Sequence, residues 1–237
     1  MSILPKIISY INKRYLFVGC MLYAMIIFGD IVSANGDASR VMWHMPRHLN
    51  YVSLTFDDGP NTDVTPKILD VLKQKNVQAT FFLVGHMIVR YPNVVRNIAR
   101  AGHGIANHTW AHYRLDEMSK MQIASQISAP THVLTDMEVS MLPYLRPPGG
   151  RFNDLVIEVA NQQGLTLLMW DVNASDSNYN RSTDIINKVT SQLKPGSIIL
   201  LHNSIRTVAV LPELIDKIHE MGFVIGPIID DKLVGAL

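Results

Sequence analysis

The chain alternates strand-length apolar runs with helix-length amphipathic stretches, and five of the apolar runs end on a chemically reactive side chain. Phe56 leads into Asp57-Asp58, Ala106 into Asn107-His108, Leu145 into Arg146, Trp170 into Asp171 and Leu201 into His202. Strand–helix alternation with buried strands predicts an α/β fold on a parallel sheet or barrel. In such folds the C-terminal ends of the strands share one rim, where active sites are built. Roughly seven strands fit between residues 52 and 226. A full eight-fold barrel usually takes about 250 residues. A distorted, incomplete (β/α) barrel is therefore expected.

The first of these runs, from Val52 to Phe56, alternates apolar with small polar residues, as a strand with one buried face does. Gly59-Pro60 stops it just after the paired carboxylates. Two neighbouring carboxylates at the end of a buried strand repel each other unless a cation or proton relieves them. Further on, helices are expected over 64–75 (capped by Thr62 or Asp63), 91–101, 118–137, 153–163, 183–193 and 211–221. Strands are expected over 77–84, 104–106, 142–145, 165–170, 197–201 and 223–225.

Composition narrows the chemistry. Charged residues make up 17% and the net charge is +1, so no basic stripe suggests nucleic acid. The one cysteine, Cys20, excludes an internal disulfide and a cysteine-based metal site. Any metal must be held by His, Asp or Glu. Lys6, Lys13 and Arg14 precede the apolar run from Tyr15 to Gly29, and Val32-Ser33-Ala34 offers small residues at signal-peptidase positions. Residues 1–34 therefore read as a signal peptide or an N-terminal membrane anchor, with residues 15–32 as the possible tether. Residues 35–50 read as a linker and 51–237 as the catalytic domain. Export to the periplasm, cell envelope or medium follows, and the chain is taken as a monomer.

His108 and His112 stand four residues apart. On a helical turn that spacing brings two imidazoles to one face, within reach of a single ion. No Glu lies between them, so a base must come from elsewhere. Asp58 can complete a two-His, one-carboxylate site, with Asp57 unligated beside it. The same trio suits hydrolytic zinc or the iron(II) of oxygenases. An unligated Asp57 favours hydrolysis, because an oxygenase needs no such base. Zinc is the first choice of metal, with cobalt, nickel or iron as alternatives.

These residues resemble the motifs of the polysaccharide deacetylases of the NodB-homology type, carbohydrate esterase family four. Thr55-Phe56-Asp57-Asp58-Gly59 is similar to the first motif, His108 to His112 to the second and Arg146-Pro147-Pro148-Gly149 to the third. Asn173-Ala174-Ser175-Asp176 is similar to the fourth, and Leu200-Leu201-His202 to the fifth. The resemblance implies Asp57 as general base, with Asp58, His108 and His112 as metal ligands. It implies that Arg146 pairs with Asp57, and that His202 is the general acid, oriented by Asp176. Pro148 and Gly149 would touch substrate, with a backbone N–H near Gly149 in the oxyanion hole. The implied reaction is removal of an N-acetyl group by a metal-bound water.

The implied substrate is an N-acetylated glycan, cell-wall peptidoglycan before chitin oligomers, exopolysaccharide or acetylxylan. The chain departs from the family pattern in three places. Gly149 stands where an aromatic is usual, Asn173 where an Asp is usual, and Ser177 where a Trp is usual. Gly149 and Ser177 keep open a small-amide hydrolase on the same fold. The other alternative, a non-catalytic glycan-binding protein, would be marked by loss of Asp57, Asp58 or His202, and all three are present. His86, His103, His132 and His219 match no motif and read as surface or capping residues.

Overall fold

The computed structural model describes residues 41–48, 50–178 and 181–229. The signal or anchor reading of residues 1–34 lies outside them. Strands β1 (Val41–Met42), β2 (Tyr51–Gly59), β3 (Thr80–Leu83), β4 (Gly104–Asn107) and β5 (Tyr144–Leu145) are followed by β6 (Thr166–Leu168) and β7 (Val172–Asn173). The series closes with β8 (Ile198–His202) and β9 (Val224–Ile225). Between them lie helices α1 (Thr65–Gln74), α2 (Gly85–Arg90), α3 (Pro92–Arg100) and α4 (Lys120–Asp136). Helices α5 (Asp154–Gln162), α6 (Ser182–Thr190) and α7 (Ile205–Glu220) complete the set.

All the strand pairs are parallel, in the order β1-β6-β5-β4-β3-β2-β8-β7, with β9 added beside β2. β6 and β7 stand near opposite ends of that order, yet only Met169, Trp170 and Asp171 separate them. The sheet is therefore curled into a distorted, incomplete barrel, as the strand pattern predicts.

β2 shows how the sequence sets the two layers. Val52, Leu54 and Phe56 are fully buried and pack with Ile68 and Leu72 of α1 and with Val210, Leu211, Leu214 and Ile215 of α7. Ser53, Thr55 and Asp57 alternate with them and are buried on the other face of the sheet. There Met42, Phe82, Ala106, Tyr144, Leu168 and Ile198 form a separate apolar cluster inside the curl. Burying each large aliphatic side chain is worth about 1.5–3 kcal/mol, so the outer layer fixes β2 in register and aims its polar face inward.

The structure differs from expectation at several elements. Residues 41–46 do not belong to a linker: Val41 pairs Leu167, Met42 pairs Leu168, and the buried Met45 donates its N–H to Gly196 O at 2.8 Å. Nine strands replace about seven because β1 and β7, two residues each, are too short to show a period. Helix α2 was not anticipated. Helix α7 starts at Ile205, six residues early, with Ser204 Oγ accepting from Thr207 N–H. Pro212 suits a first turn but lies in the helix interior. His103 is buried, not on the surface, and its Nδ1 accepts the Ala79 N–H at 3.3 Å. Burial lowers its pKa to about 4, which keeps it neutral.

Candidate active site

β2 ends in the paired carboxylates, and the chain turns there through Asp58 at φ 73°. That left-handed conformation is uncommon for a residue other than glycine. It sends the two side chains apart: Asp57 is buried and Asp58 half exposed. Asp58 Oδ1 lies 3.4 Å from His108 Nε2 and 3.1 Å from His112 Nε2. Asp57 Oδ2 stands 3.8 Å from His108 Nε2.

The two histidines do not share a helical turn. They lie on a loop after β4 with Thr109 at φ 65° and His112 at φ 58°. Its backbone groups bond outward: Thr109 O and Trp110 O accept from Gly85 N–H and His86 N–H, and Trp110 N–H reaches Gln126 O of α4. Asn107, fully buried, accepts the Thr109 N–H and donates to Ile127 O. The four-residue spacing delivers both rings to one place by this anchored loop.

The donor set fits a divalent ion. Arg146 O can only accept, so the 2.8 Å contact places the proton of neutral His108 on Nδ1 and turns the Nε2 lone pair toward Asp58. A backbone acceptor behind the imidazole is the usual support of a metal-ligating histidine. Zn–N and Zn–O bonds of about 2.0–2.1 Å at tetrahedral angles put neighbouring ligand atoms roughly 3.3 Å apart, close to the two separations here. All three ligand atoms lie within 4.8 Å of one another. Burial alone would raise the Asp58 pKa; when the imidazoles of His108 and His112 are protonated, their hydrogen bonds and charge hold it well below the usual carboxylate range.

Arg146, directly after β5, is fully buried inside the curled sheet. NH1 donates to Asp57 Oδ1 at 2.7 Å and to Thr55 Oγ1 at 2.8 Å; Nε and NH2 donate to the carbonyls of Leu168 and Met169. Its guanidinium lies 3.9 Å from the centre of the Phe82 ring. The cation thus joins β2, β5 and β6 and holds one oxygen of Asp57, leaving Oδ2 on the His108 side. Its own pKa falls through burial, against the opposing charge and hydrogen bond of Asp57.

Opposite, His202 ends β8, where it pairs Asp57 in the sheet register. Its Nδ1 donates to Asp176 Oδ1 at 2.7 Å. Asp176 is fully buried, and its other oxygen accepts from His202 N–H and Thr207 Oγ1. Burial works against a charged imidazole, but the hydrogen bond and charge of Asp176 outweigh it, and the His202 pKa is pushed up to about 9. Asp57, Asp58, His108, His112, Gly149, Trp170, Asn173, Ser175, Leu200 and His202 all border one cavity of about 220 Å³. Pro148 is buried and does not border it. A larger cavity of about 800 Å³ lies among the N-terminal strand ends, beside Tyr51 and His103, away from these groups.

Residues 45–168 match the polysaccharide deacetylase family. The chain belongs to that family. It is 39% identical over 153 residues to a peptidoglycan-N-acetylglucosamine deacetylase of Bacillus cereus, covering 65% of this chain and 56% of that one. The chain thus spans little more than half of that relative. With a chitooligosaccharide deacetylase of Sinorhizobium fredii it shares 33% identity, over 73% of this chain and 88% of the relative. A solved peptidoglycan N-acetylglucosamine deacetylase, in complex with 4-naphthalen-1-yl-N-oxidanyl-benzamide, superposes with a TM-score of 0.76 at 33% identity. That match covers 79% of this chain and 90% of the other.

Within this polysaccharide deacetylase fold, the sequence-based site residues Asp57, Asp58, His108, His112, Arg146, Asp176 and His202 come together at one end of the sheet. Asp171, the remaining polar strand end, does not join them. It bonds Arg47 at 2.7 Å and accepts from Ser197 Oγ and Ile198 N–H, which ties β1's connection to β8. Thr55, Asn107, Trp170 and Thr207 were missed. Asn107 ended an apolar run but read only as the lead-in to His108, and Thr207 carried no signal.

Proposed function

We propose that the chain is a metal-dependent hydrolase that removes N-acetyl groups from a glycan, with cell-wall peptidoglycan as the first substrate. The observation that carries this reading is the division of labour around one small cavity. A carboxylate oxygen of Asp57, pinned by a buried arginine, faces the ligand trio from one side, and a His202–Asp176 pair faces it from the other.

Asp58, His108 and His112 would hold the metal, zinc first. When bound, it would polarise the amide carbonyl as a Lewis acid and lower the pKa of a nearby water. The remaining roles belong to the chain. Asp57, held by Arg146, takes the proton of the attacking water at Oδ2. His202 gives its Nε2 proton to the departing sugar amine, while Asp176 fixes the Nδ1–H tautomer and ring angle. In the turn after β5, Pro148 has no N–H, and those of Gly150 and Arg151 bond Pro147 O and Pro148 O. Gly149 N–H is the donor that turn leaves to steady the developing oxyanion.

Gly149 also favours a glycan over a small amide. It sits at φ 62°, and beyond its two chain neighbours no described atom lies within 4 Å of where its Cβ would stand. The cavity is open on that side, as a groove for a polymer requires. Peptidoglycan as substrate would place the protein outside the cytoplasmic membrane, in keeping with residues 1–34 as signal or anchor. Among the described residues no helix is long and apolar enough to cross a membrane. The test is acetate release from peptidoglycan, chitin oligomers, exopolysaccharide and acetylxylan by metal-stripped protein, before and after zinc is restored. Zinc-dependent release from peptidoglycan is expected; no release from any of the four would overturn the reading.

A further inference from the structure

Trp43 and Phe152 meet at the C-terminal rim of the sheet, with ring centroids 6.4 Å apart and planes tilted by 52°. Trp43 is 46% exposed, whereas tryptophan is on average highly buried. Its place is well defined. It follows β1, where Met42 pairs Leu168 and the Met42 carbonyl accepts the Met169 N–H at 2.8 Å. The residue after Met169 is Trp170, which borders the cavity.

Phe152 approaches the same rim from β5. It stands three residues beyond Gly149, past a turn tightly packed on Trp170: a Cβ at Gly150 would come within 2.7 Å of Trp170 Cη2. Phe152 also packs against the apolar cluster of Leu115, Ile123 and Val156. That anchors the pair and leaves the indole as its open face. Both rings thus stand at the same end of the sheet as the cavity, linked to it through Trp170 and the Gly149–Gly150 turn.

A pyranose carries a flat face of C–H groups between its hydroxyls. Laid on an exposed indole, it removes apolar area from water while the hydroxyls stay solvated. We infer that Trp43, backed by Phe152, is an outer sugar-stacking subsite that binds a sugar further along the glycan chain than the one presenting its acetamide to His202. This rests on the deacetylase reading and adds a requirement for chain length.

The experiment compares zinc-loaded wild type, Trp43→Ala, Trp43→Phe and the control Met221→Ala, an exposed position at the end of α7. Substrates are chitin oligomers from dimer to hexamer. Trp43→Ala should raise KM for the hexamer about tenfold, the effect of uncovering roughly one ring face. The dimer's KM and both kcat values should stay unchanged, and Trp43→Phe should restore most of the loss. An equal change at all lengths, or none, overturns the subsite. If wild type releases no acetate from these oligomers, the deacetylase reading is decided separately by the peptidoglycan, exopolysaccharide and acetylxylan assays. Calorimetric binding of the hexamer then decides: weaker binding to Trp43→Ala supports the subsite, and equal binding or none overturns it.

Discussion

Asp57 and Asp58 are neighbours in the chain with different surroundings, and the difference assigns their work. Asp58 meets two imidazole nitrogens, while Asp57 is tied through Oδ1 to Arg146. Asp57→Asn keeps the shape and removes the proton acceptor, so turnover should fall by at least about a thousandfold, at the upper range of general base effects. Zinc should remain at one per chain by elemental analysis, and retained turnover would remove Asp57 from the base role. His202 yields a pH prediction with a definite sign. Its pKa lies above the ordinary 6.5, at about 9, so the acid form persists through neutral pH and kcat should fall as pH rises through about 9. The same charged pair stabilises the fold below pH 6.5 and ceases to do so as pH passes about 9. Asp176→Asn removes the carboxylate that raises His202, so the alkaline limb should move toward 6.5; an unmoved limb would dissociate that limb from His202. The residue identities were legible in the sequence: four of the five polar strand ends carry Asp57, Asp58, His108, Arg146 and His202, the histidine spacing adds His112, and the family resemblance adds Asp176. Their helpers were not: Thr207 sits on a helix and Thr55 mid-strand, where only the folded chain gives them partners.

At the scale of elements, the ends of β2 and β8 carry the two aspartates and His202, and loops carry the two histidines of the trio and Arg146. The β4 loop is the clearest case, because its histidines are positioned by an irregular backbone that four-residue spacing mimics. The sequence supports a helical turn there, and nothing local signals that Gly85, His86 and Gln126 will take up the loop's backbone groups. Asn107 is the pin, with its amide donating to Ile127 O and its carbonyl accepting from Thr109 N–H. Asn107→Ala would leave the buried Thr109 N–H unpaired, costing about 1–3 kcal/mol, while Ile127 O would keep the hydroxyl of Thr131 as a donor. Zinc affinity should drop about tenfold or more, as for removal of groups that support metal ligands, and the thermal midpoint should fall with it. Competition with a zinc-responsive dye measures the first effect. Unchanged affinity in a destabilised variant would confine Asn107 to a folding role. Short elements were the other blind spot: β1 and β7 are defined only by their partners β6 and β8.

Across the whole molecule, Arg146 explains why the site and the fold depend on each other. A guanidinium inside a curled sheet is costly unless its donors are used, and from the end of β5 its bonds reach Thr55 and Asp57 of β2, Leu168 of β6 and Met169 beyond it. The parallel α/β architecture follows from alternation alone, but this internal brace does not, because a strand-end arginine reads equally well as a surface charge. The ligand trio lies just above the brace, so metal binding should be felt as global stability. At a free zinc concentration a hundredfold above Kd, binding contributes about 2.7 kcal/mol. For a domain of this size each kcal/mol moves Tm by about 2–4 °C. Chelation should therefore lower Tm by about 5–10 °C and abolish acetate release, and added zinc should restore both. Asp58→Ala removes the one carboxylate of the trio without touching Arg146. It should fold, lack activity, and show the same Tm with chelator as with zinc. A zinc-dependent rise in Tm undiminished in Asp58→Ala would mean that the stabilising ion sits elsewhere, and the trio would lose its claim as the metal centre.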